Sequence, residues 1–563
     1  MKKFRWQLII IFLTGLVVGI LLLREQPVVL PFQEPEPVQG GSYTEAVIGS
    51  IQRLNPVLDT YHAADRDIDR LIYSRLVTFD DRGLPQPDLA ESWGVSADGT
   101  VYNITLKADV KWHDGQPLTS DDVLFTIEMM RAGEGVVPDD LRSFWNDVEV
   151  VIFDEQNFQF RLPEPFAPFL DYLAFGVLPR HLLGSLTFVE MVDAPFNLQP
   201  VGSGPYKFNG LYVEDGAILG VELVANEDYY DQPPFIEKMI FRYYADGSAA
   251  LQAYREGEVQ GIGGIPVEVL PEALKETTLS IYSSRLPEMT LVLFNLQDDS
   301  VPFLQESVVR RALLMGINRQ YMIDKVFQGQ GILADGPIFP RTWAYNESQE
   351  RVPYDPAWAI DLLRAEDYNL TGVEGTVRVK DDVSMEFSMI YPDTLQHKAM
   401  AEQIQSDWAA MGVKVNLEAV PYDQLVLDRL TNRTFQAALV DLNLARTPDP
   451  DPYPFWDSVQ ATGGQNYSQW DDRMASEYLE NARVTIDIAE RARLYRNFQV
   501  LFARELPALP LFYPVFNYGV NEEIQGVRMG PLFDTSDRFL TIQDWYLVSE
   551  RNSKPQPTNT LVQ

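Results

Sequence analysis

The chain has no cysteine among its 563 residues and only four histidines. Without cysteine there is no disulfide, no thiolate metal site, no cysteine nucleophile and no cysteine to carry a lipid anchor. His62, His113, His181 and His397 stand far apart, and none falls in an HExxH or comparable spacing. No metal site and no cofactor is expected. Basic residues are also few: 45 Lys and Arg against 81 Asp and Glu, a formal charge of −36. Such a surface has little with which to neutralise phosphates, so nucleic acid is excluded as a partner and anionic lipid is disfavoured. There is no G-x-S-x-G elbow, and Gly202-Ser203-Gly204 resembles one only superficially. No catalytic residue is expected, because close carboxylate pairs arise by chance in so acidic a chain. No repeat of fixed period is present.

What is there is globular in character. Hydrophobic residues make up 46% and aromatics 12%, which rules out a disordered chain. The length exceeds what one core can serve, so two or three packed units are expected. The one long apolar run is N-terminal. Lys2, Lys3 and Arg5 precede Leu8 to Leu23, and with Trp6 and Gln7 about 18 residues are available to span a ~30 Å hydrocarbon layer. The positive flank keeps the N-terminus cytoplasmic. No small-residue cleavage site follows, since the next residues are Arg24, Glu25 and Gln26. Residues 1–24 therefore read as an uncleaved transmembrane signal anchor, and 25–42 as a Pro-rich, acidic linker. That places the protein in the cell membrane as a single-pass chain with its body outside the cytoplasm.

The most informative stretch runs from Pro87 to Met130. Ser96-Ala97-Asp98-Gly99 is a turn. Residues 101–108 then alternate polar and apolar with the period of a half-buried strand. Trp112-His113-Asp114-Gly115 is a second turn, where a structural role is expected for His113. Thr119 with Asp122 forms a capping-box pattern, and Val123, Ile127 and Met130 lie on one face of the helix that follows. Further along, Asp67 to Leu76 reads as a helix. Asp355-Pro356 marks a helix start, and Met400, Ile404, Trp408 and Met411 form a helical face ended by Gly412. Val413, Val415 and Leu417 alternate as a strand. Helices alternating with strands predict a mostly parallel sheet. Ile486–Leu506 reads as an amphipathic helix, ended by Pro507 and followed by the strand Leu509–Tyr513. Val201–Tyr206 is glycine-rich but lacks the Lys-Ser/Thr of a phosphate loop. Asp449-Pro450-Asp451 lacks calcium-loop spacing.

The wording LAESW…S.DG…Y…LK.DVKWHDG.PLT..DV closely resembles the signature of extracytoplasmic solute-binding proteins of family 5, which serve peptide and nickel ABC importers. Leu54-Asn55-Pro56, the Gly202–Tyr206 turn, Asn226 with Tyr229 and Tyr230, the VVRRAL helix, the Asp449–Asp451 turn and Gly464–Tyr467 match it in the same order. The resemblance implies an α/β fold: a two-lobed periplasmic-binding-protein fold, class II-like and of cluster C, with an extra β-rich subdomain in lobe I near residues 140–180. Lobe I is expected over 43–290 and 511–548, lobe II over 291–510, and a flexible tail over 549–563. Crossover strands are expected near 290–296 and 508–516.

The function it implies is that of a solute-binding protein for an ABC importer. It would take up an oligopeptide or similar small solute by hinge closure, act as a monomer and meet permease subunits. A membrane-anchored sensor with the same fold is the alternative, as is a binder of a carboxylate, a sugar or a metal complex. In peptide-binding members an Asp a few residues before the DPD turn pairs with the peptide amine. Here Arg446 falls at or beside that position, and a shift of a few residues would bring in Asp441. A guanidinium suits a carboxylate or phosphate rather than an amine. Arg446 and Tyr467 are the leading candidates for ligand contact. Asn466, Trp456, Trp343 and Tyr513 are pocket candidates, and Gly49 and Ser50 are candidates by position after the first strand.

Overall fold

The computed structural model describes residues 12–14, 37, 39–370, 376–444 and 448–548. Apart from residues 12–14, the expected anchor over 1–24 lies outside the described residues, and so does the tail from 549. Among the described residues no helix is long and apolar enough to cross a membrane.

Two strands organise the molecule. Ala508–Asn521 is fourteen residues long, and its two ends belong to different neighbours. Its first part pairs antiparallel with Glu288–Phe294; its second part pairs with Leu279–Arg285 and Gly261–Ile262. From the first part the sheet extends through Ala437–Asn443 to Glu386–Pro392 and Lys414–Val420. From the second it extends through Ser42–Ile48 to Lys238–Tyr244, Ala217–Ala225 and Tyr206–Glu214. The sheet is mixed rather than mostly parallel. Ser42–Ile48 pairs in parallel with Lys238–Tyr244, and Glu386–Pro392 with both its neighbours, but the hairpins and the long return strand are antiparallel. Periodicity identified strands here, but it carries no information on partner direction.

The cores fall on either side of this junction. One gathers Tyr43, Ile68, Tyr102, Trp112, Phe169 and Val221 with Tyr518 and Trp545. The other half is cored on both faces of its sheet. Val292, Phe294 and Leu509 pack against Ala312, Leu313 and Trp408 on one face. Leu291, Leu293 and Ala508 pack against Tyr495, Phe498 and Phe502 on the other. A strand covered on both sides needs a continuous apolar run, which is why Leu291–Phe294 shows no alternation. Each such side chain contributes about 1.5–3 kcal/mol by burial.

Within lobe I, Ala90–Val95, Val101–Leu106, Asn157–Arg161 and Glu149–Ile152 form a separate four-stranded antiparallel sheet. It begins well before residue 140, so the β-rich subdomain takes in the Pro87–Met130 stretch. The capping box of Thr119 and Asp122 is present at the start of Ser120–Ala132. The helix expected over 67–76 instead spans Ala63–Ile72. It stops there because Ser74 and Arg75 are drawn out: the Ser74 carbonyl accepts from the Val177 N–H at 3.1 Å, and Arg75 bridges to Gly176.

The two ends of lobe I are tied by a buried ion cluster. Arg538, fully buried, donates to Glu45 at 2.7 Å and to Asp67 at 2.6 and 2.8 Å. The Tyr518 hydroxyl donates to the same Glu45 at 2.6 Å. Thus the return segment is bonded to the first strand.

Candidate functional site

The lobes meet along a junction built by five segments. From lobe I come the turn Asp80–Leu84, the short helix Ala167–Leu173 and the segment around Phe533. From lobe II come Phe339–Trp343 and the turn Pro448–Asp451. The Trp343 N–H donates to the Arg82 carbonyl at 3.0 Å. Asp171 accepts from the Asp449 N–H at 2.5 Å. Gly83 lies against Pro448 and Phe533.

The acids of the DPD turn are held from inside lobe II. Arg491 pairs with Asp449 at 2.6 Å, and Arg483 grips Asp451 at 2.8–3.1 Å through two nitrogens. The Arg483 guanidinium also stacks over Tyr453 at 4.0 Å and reaches over Phe166 of lobe I at 5.3 Å. Burial, followed by the charge of Asp449, holds the Asp171 carboxyl well above its usual range. This arrangement orders the turn and brings lobe I to it. It offers no nucleophile and base in register.

Next to the crossovers, Thr290 donates to Asp441 at 2.5 Å, and His397 lies 3.0 Å from the other Asp441 oxygen. Burial raises the Asp441 carboxyl, but the His397 and Thr290 partners outweigh it, and the net direction is down. Asp441 is thus already engaged. Among the described residues no group of three or more His, Asp or Glu is arranged to hold a metal ion.

The residues named from the sequence do not converge on one point. Arg446 lies outside the described residues. Its flanks do not: the Leu444 N–H donates to the Pro287 carbonyl at 2.7 Å, and Pro448 touches Gly83. Trp343 is at the junction, buried against Tyr495 and under the Arg491 guanidinium. Tyr513 is buried in the return strand, donating to the Gly336 carbonyl at 2.6 Å with its ring against Phe339. Trp456 packs on Phe502 in the lobe II core. Asn466 is fully buried, with its amide donating to the Asp457 and Trp470 carbonyls at 2.9 Å. Tyr467 is half-buried beneath the Arg433 guanidinium. Gly49 and Ser50 are exposed after the first strand, with the Gly49 N–H bonded to Tyr244.

His113 has a structural role. The Gly202 N–H donates to its Nδ1 at 3.2 Å, and its Nε2 lies 3.1 Å from the Gly204 carbonyl. Burial lowers its pKa to about 4, so the ring is neutral. The glycines of Gly202-Ser203-Gly204 serve close approach, since a methyl group on either would run into the carbonyls ending Ala63–Ile72. Recesses of about 400 and 210 Å³ flank the Trp112–Gly115 turn, away from the lobe junction.

Sequence reasoning missed Asp171, Arg483 and Arg491. Arg491 lies within the amphipathic helix read over 486–506, where an arginine is expected on the solvated face, and Arg483 and Asp171 fall in stretches with no distinguishing motif.

Residues 85–465 match the sequence profile of the bacterial extracellular solute-binding proteins, family 5 Middle. A di/tripeptide-binding protein 1 of Pseudomonas aeruginosa is 28% identical over 486 residues, covering 82% of this chain and 86% of that protein. Among solved structures, HbpA2 from Haemophilus parasuis superposes with a TM-score of 0.79 at 22% identity, covering 90% of this chain and all of that one. The oligopeptide-binding protein AppA from Bacillus subtilis, solved with a nonapeptide, gives 0.66 at 24% identity, covering 91% of this chain and all of that one.

Proposed function

We propose, from the premise that this chain belongs to the bacterial extracellular solute-binding proteins of family 5, that it captures a short peptide between its two lobes and delivers it to an ABC importer. The observation that carries the ligand class is the 28% identity with a di/tripeptide-binding protein across 86% of that relative's length. The fold supplies a means. The lobes are joined by Glu288–Phe294 and Ala508–Asn521, and hinge closure about those strands would enclose a ligand. Ligand then shifts the population toward the closed form, which the permease reads.

In this reading Arg446, Tyr467, Trp343, Tyr513, Gly49 and Ser50 border the ligand. Asn466 and Trp456 hold the loop and floor behind it. Residues 1–24 tether the protein to the membrane, 25–42 give it reach, and it works as a monomer. Lobe I comprises 43–290 and 511–548, and lobe II comprises 291–510. The family and the relative are named as binding proteins, and no bond-breaking step is assigned here.

Native mass spectrometry of the purified protein tests the ligand class. A co-purifying or exchangeable short peptide is the expected result. A sugar or a metal complex held in its place would overturn it.

A further inference from the structure

Six arginines are buried among the described residues: Arg285, Arg310, Arg319, Arg378, Arg491 and Arg538. Five are fully employed. Arg310 donates to the Leu304, Glu505 and Leu506 carbonyls, and Arg319 to those of Ala334, Val352 and Pro510. Arg378 donates to the Met411 and Tyr368 carbonyls, Arg491 pairs with Asp449, and Arg538 with Glu45 and Asp67. Arg285 is the exception. It is 5% exposed, and none of its three guanidinium nitrogens has a hydrogen-bond partner.

Its position is specific. Arg285 ends Leu279–Arg285, just before the crossover strand begins at Glu288. Its guanidinium lies 3.9 Å from the ring centroid of Phe339 in lobe II and 5.6 Å from that of Phe533. Cation–π attraction offsets only part of the cost of stripping water from a guanidinium. Burial lowers its pKa to about 10, with the neighbouring Arg341 acting in the same direction, so it stays charged at neutral pH. A second unused donor stands beside it. Asn517 faces Ser283 across the sheet, one step along the same face from Arg285. Asn517 is 2% exposed; its Oδ1 accepts from the Ser283 hydroxyl at 2.6 Å, and its Nδ2 has no acceptor. Ser283 itself is exposed, so solvent reaches this face.

We infer that Arg285 and Asn517 form a carboxylate subsite at the hinge that receives the terminal carboxylate of the bound peptide and makes lobe closure depend on it. This rests on the peptide reading above. Phe339 comes from lobe II and Arg285 from lobe I, so closing the lobes dehydrates the guanidinium. An empty closed form holds a buried, unpaired charge, whereas a carboxylate placed there accepts from the guanidinium fork and the Asn517 amide together. The ligand then interacts differently with the two states, which is what a closure trigger requires.

The test compares full-length wild type with Arg285→Met, Arg285→Lys and Asn517→Asp. The probes are a tripeptide library, each member as free acid and as C-terminal amide, and succinate as a bare dicarboxylate. Wild type is expected to bind free acids at least tenfold more tightly than amides. Arg285→Met should abolish that ratio, and Arg285→Lys should keep part of it. Asn517→Asp supplies its own carboxylate. It should raise the melting temperature of the ligand-free protein and remove the preference. Equal binding of acids and amides by wild type would overturn the subsite and leave the peptide reading standing. If no tripeptide binds wild type, the peptide reading falls. The subsite is then supported if succinate raises the melting temperature of wild type and not of Arg285→Met, and overturned if it shifts neither. Should Arg285→Met not fold, Arg285→Lys and Asn517→Asp decide it.

Discussion

Glu288 opens the crossover strand, and burial, with Asp441 adding its charge, pushes its carboxyl up to about 7. Its ordinary value is 4.5. A carboxyl raised on folding adds stability that is fully present below the unfolded value and lost as pH rises through the folded one. This residue therefore favours the folded state below about 4.5, and its contribution disappears by about pH 7 and above. At 1.36 kcal/mol per unit the effect is on the order of 3 kcal/mol at most. The variant Glu288→Gln stays uncharged at any pH. Urea midpoints at pH 5 and pH 8 should fall further for wild type than for the variant; parallel losses would remove Glu288 as the source. The buried charge of Arg538 is handled by pairing with Glu45 and Asp67, and removing one partner there is expected to cost about 3–5 kcal/mol.

At the scale of elements, the Trp112–Gly115 turn docks on Gly202–Tyr206, which in turn sits on the end of Ala63–Ile72. Both turns were legible as turns from glycine and aspartate, and their family resemblance was legible too. That they touch was not, because contacts across some ninety residues leave no local pattern. Gly202→Ala should destabilise lobe I by about 1–3 kcal/mol, the range for forcing extra atoms into a packed interior. Chemical denaturation would show this directly, and an unchanged midpoint would contradict the close approach. The helix Ala63–Ile72 makes the same point. A helix was legible there, but it starts at Ala63 rather than Asp67, and its end was set by the Ser74 and Arg75 contacts to another part of the chain.

At the scale of the whole molecule, the bonds that hold the junction include the Trp343 N–H donated to the Arg82 carbonyl and the Asp449 N–H donated to the Asp171 carboxylate. Asp171→Ala leaves the Asp449 N–H without an acceptor, a cost of about 1–3 kcal/mol, and so shifts the lobes toward opening. Small-angle scattering should give a larger radius of gyration for Asp171→Ala without ligand. Asp171→Asn retains an acceptor and should scatter like wild type. Identical curves for the alanine variant would show that closure does not depend on this bond. The Arg491–Asp449 pair behind it is buried, so this closure should be little affected by moderate salt.

Taken alone, the sequence determined the family, the turns at 96–99 and 112–115, the capping box at Thr119 and the helix start at Asp355-Pro356. Those properties are local or compositional, and local chemistry writes them in residue order. Only the tertiary structure decided that the sheet is mixed, that the DPD acids face Arg483 and Arg491, and that Arg285 is unpaired. An arginine in a strand reads the same whether water, a carbonyl or nothing awaits its guanidinium. What awaits it is set by Phe339 and Phe533, which lie 54 and 248 residues further along the chain.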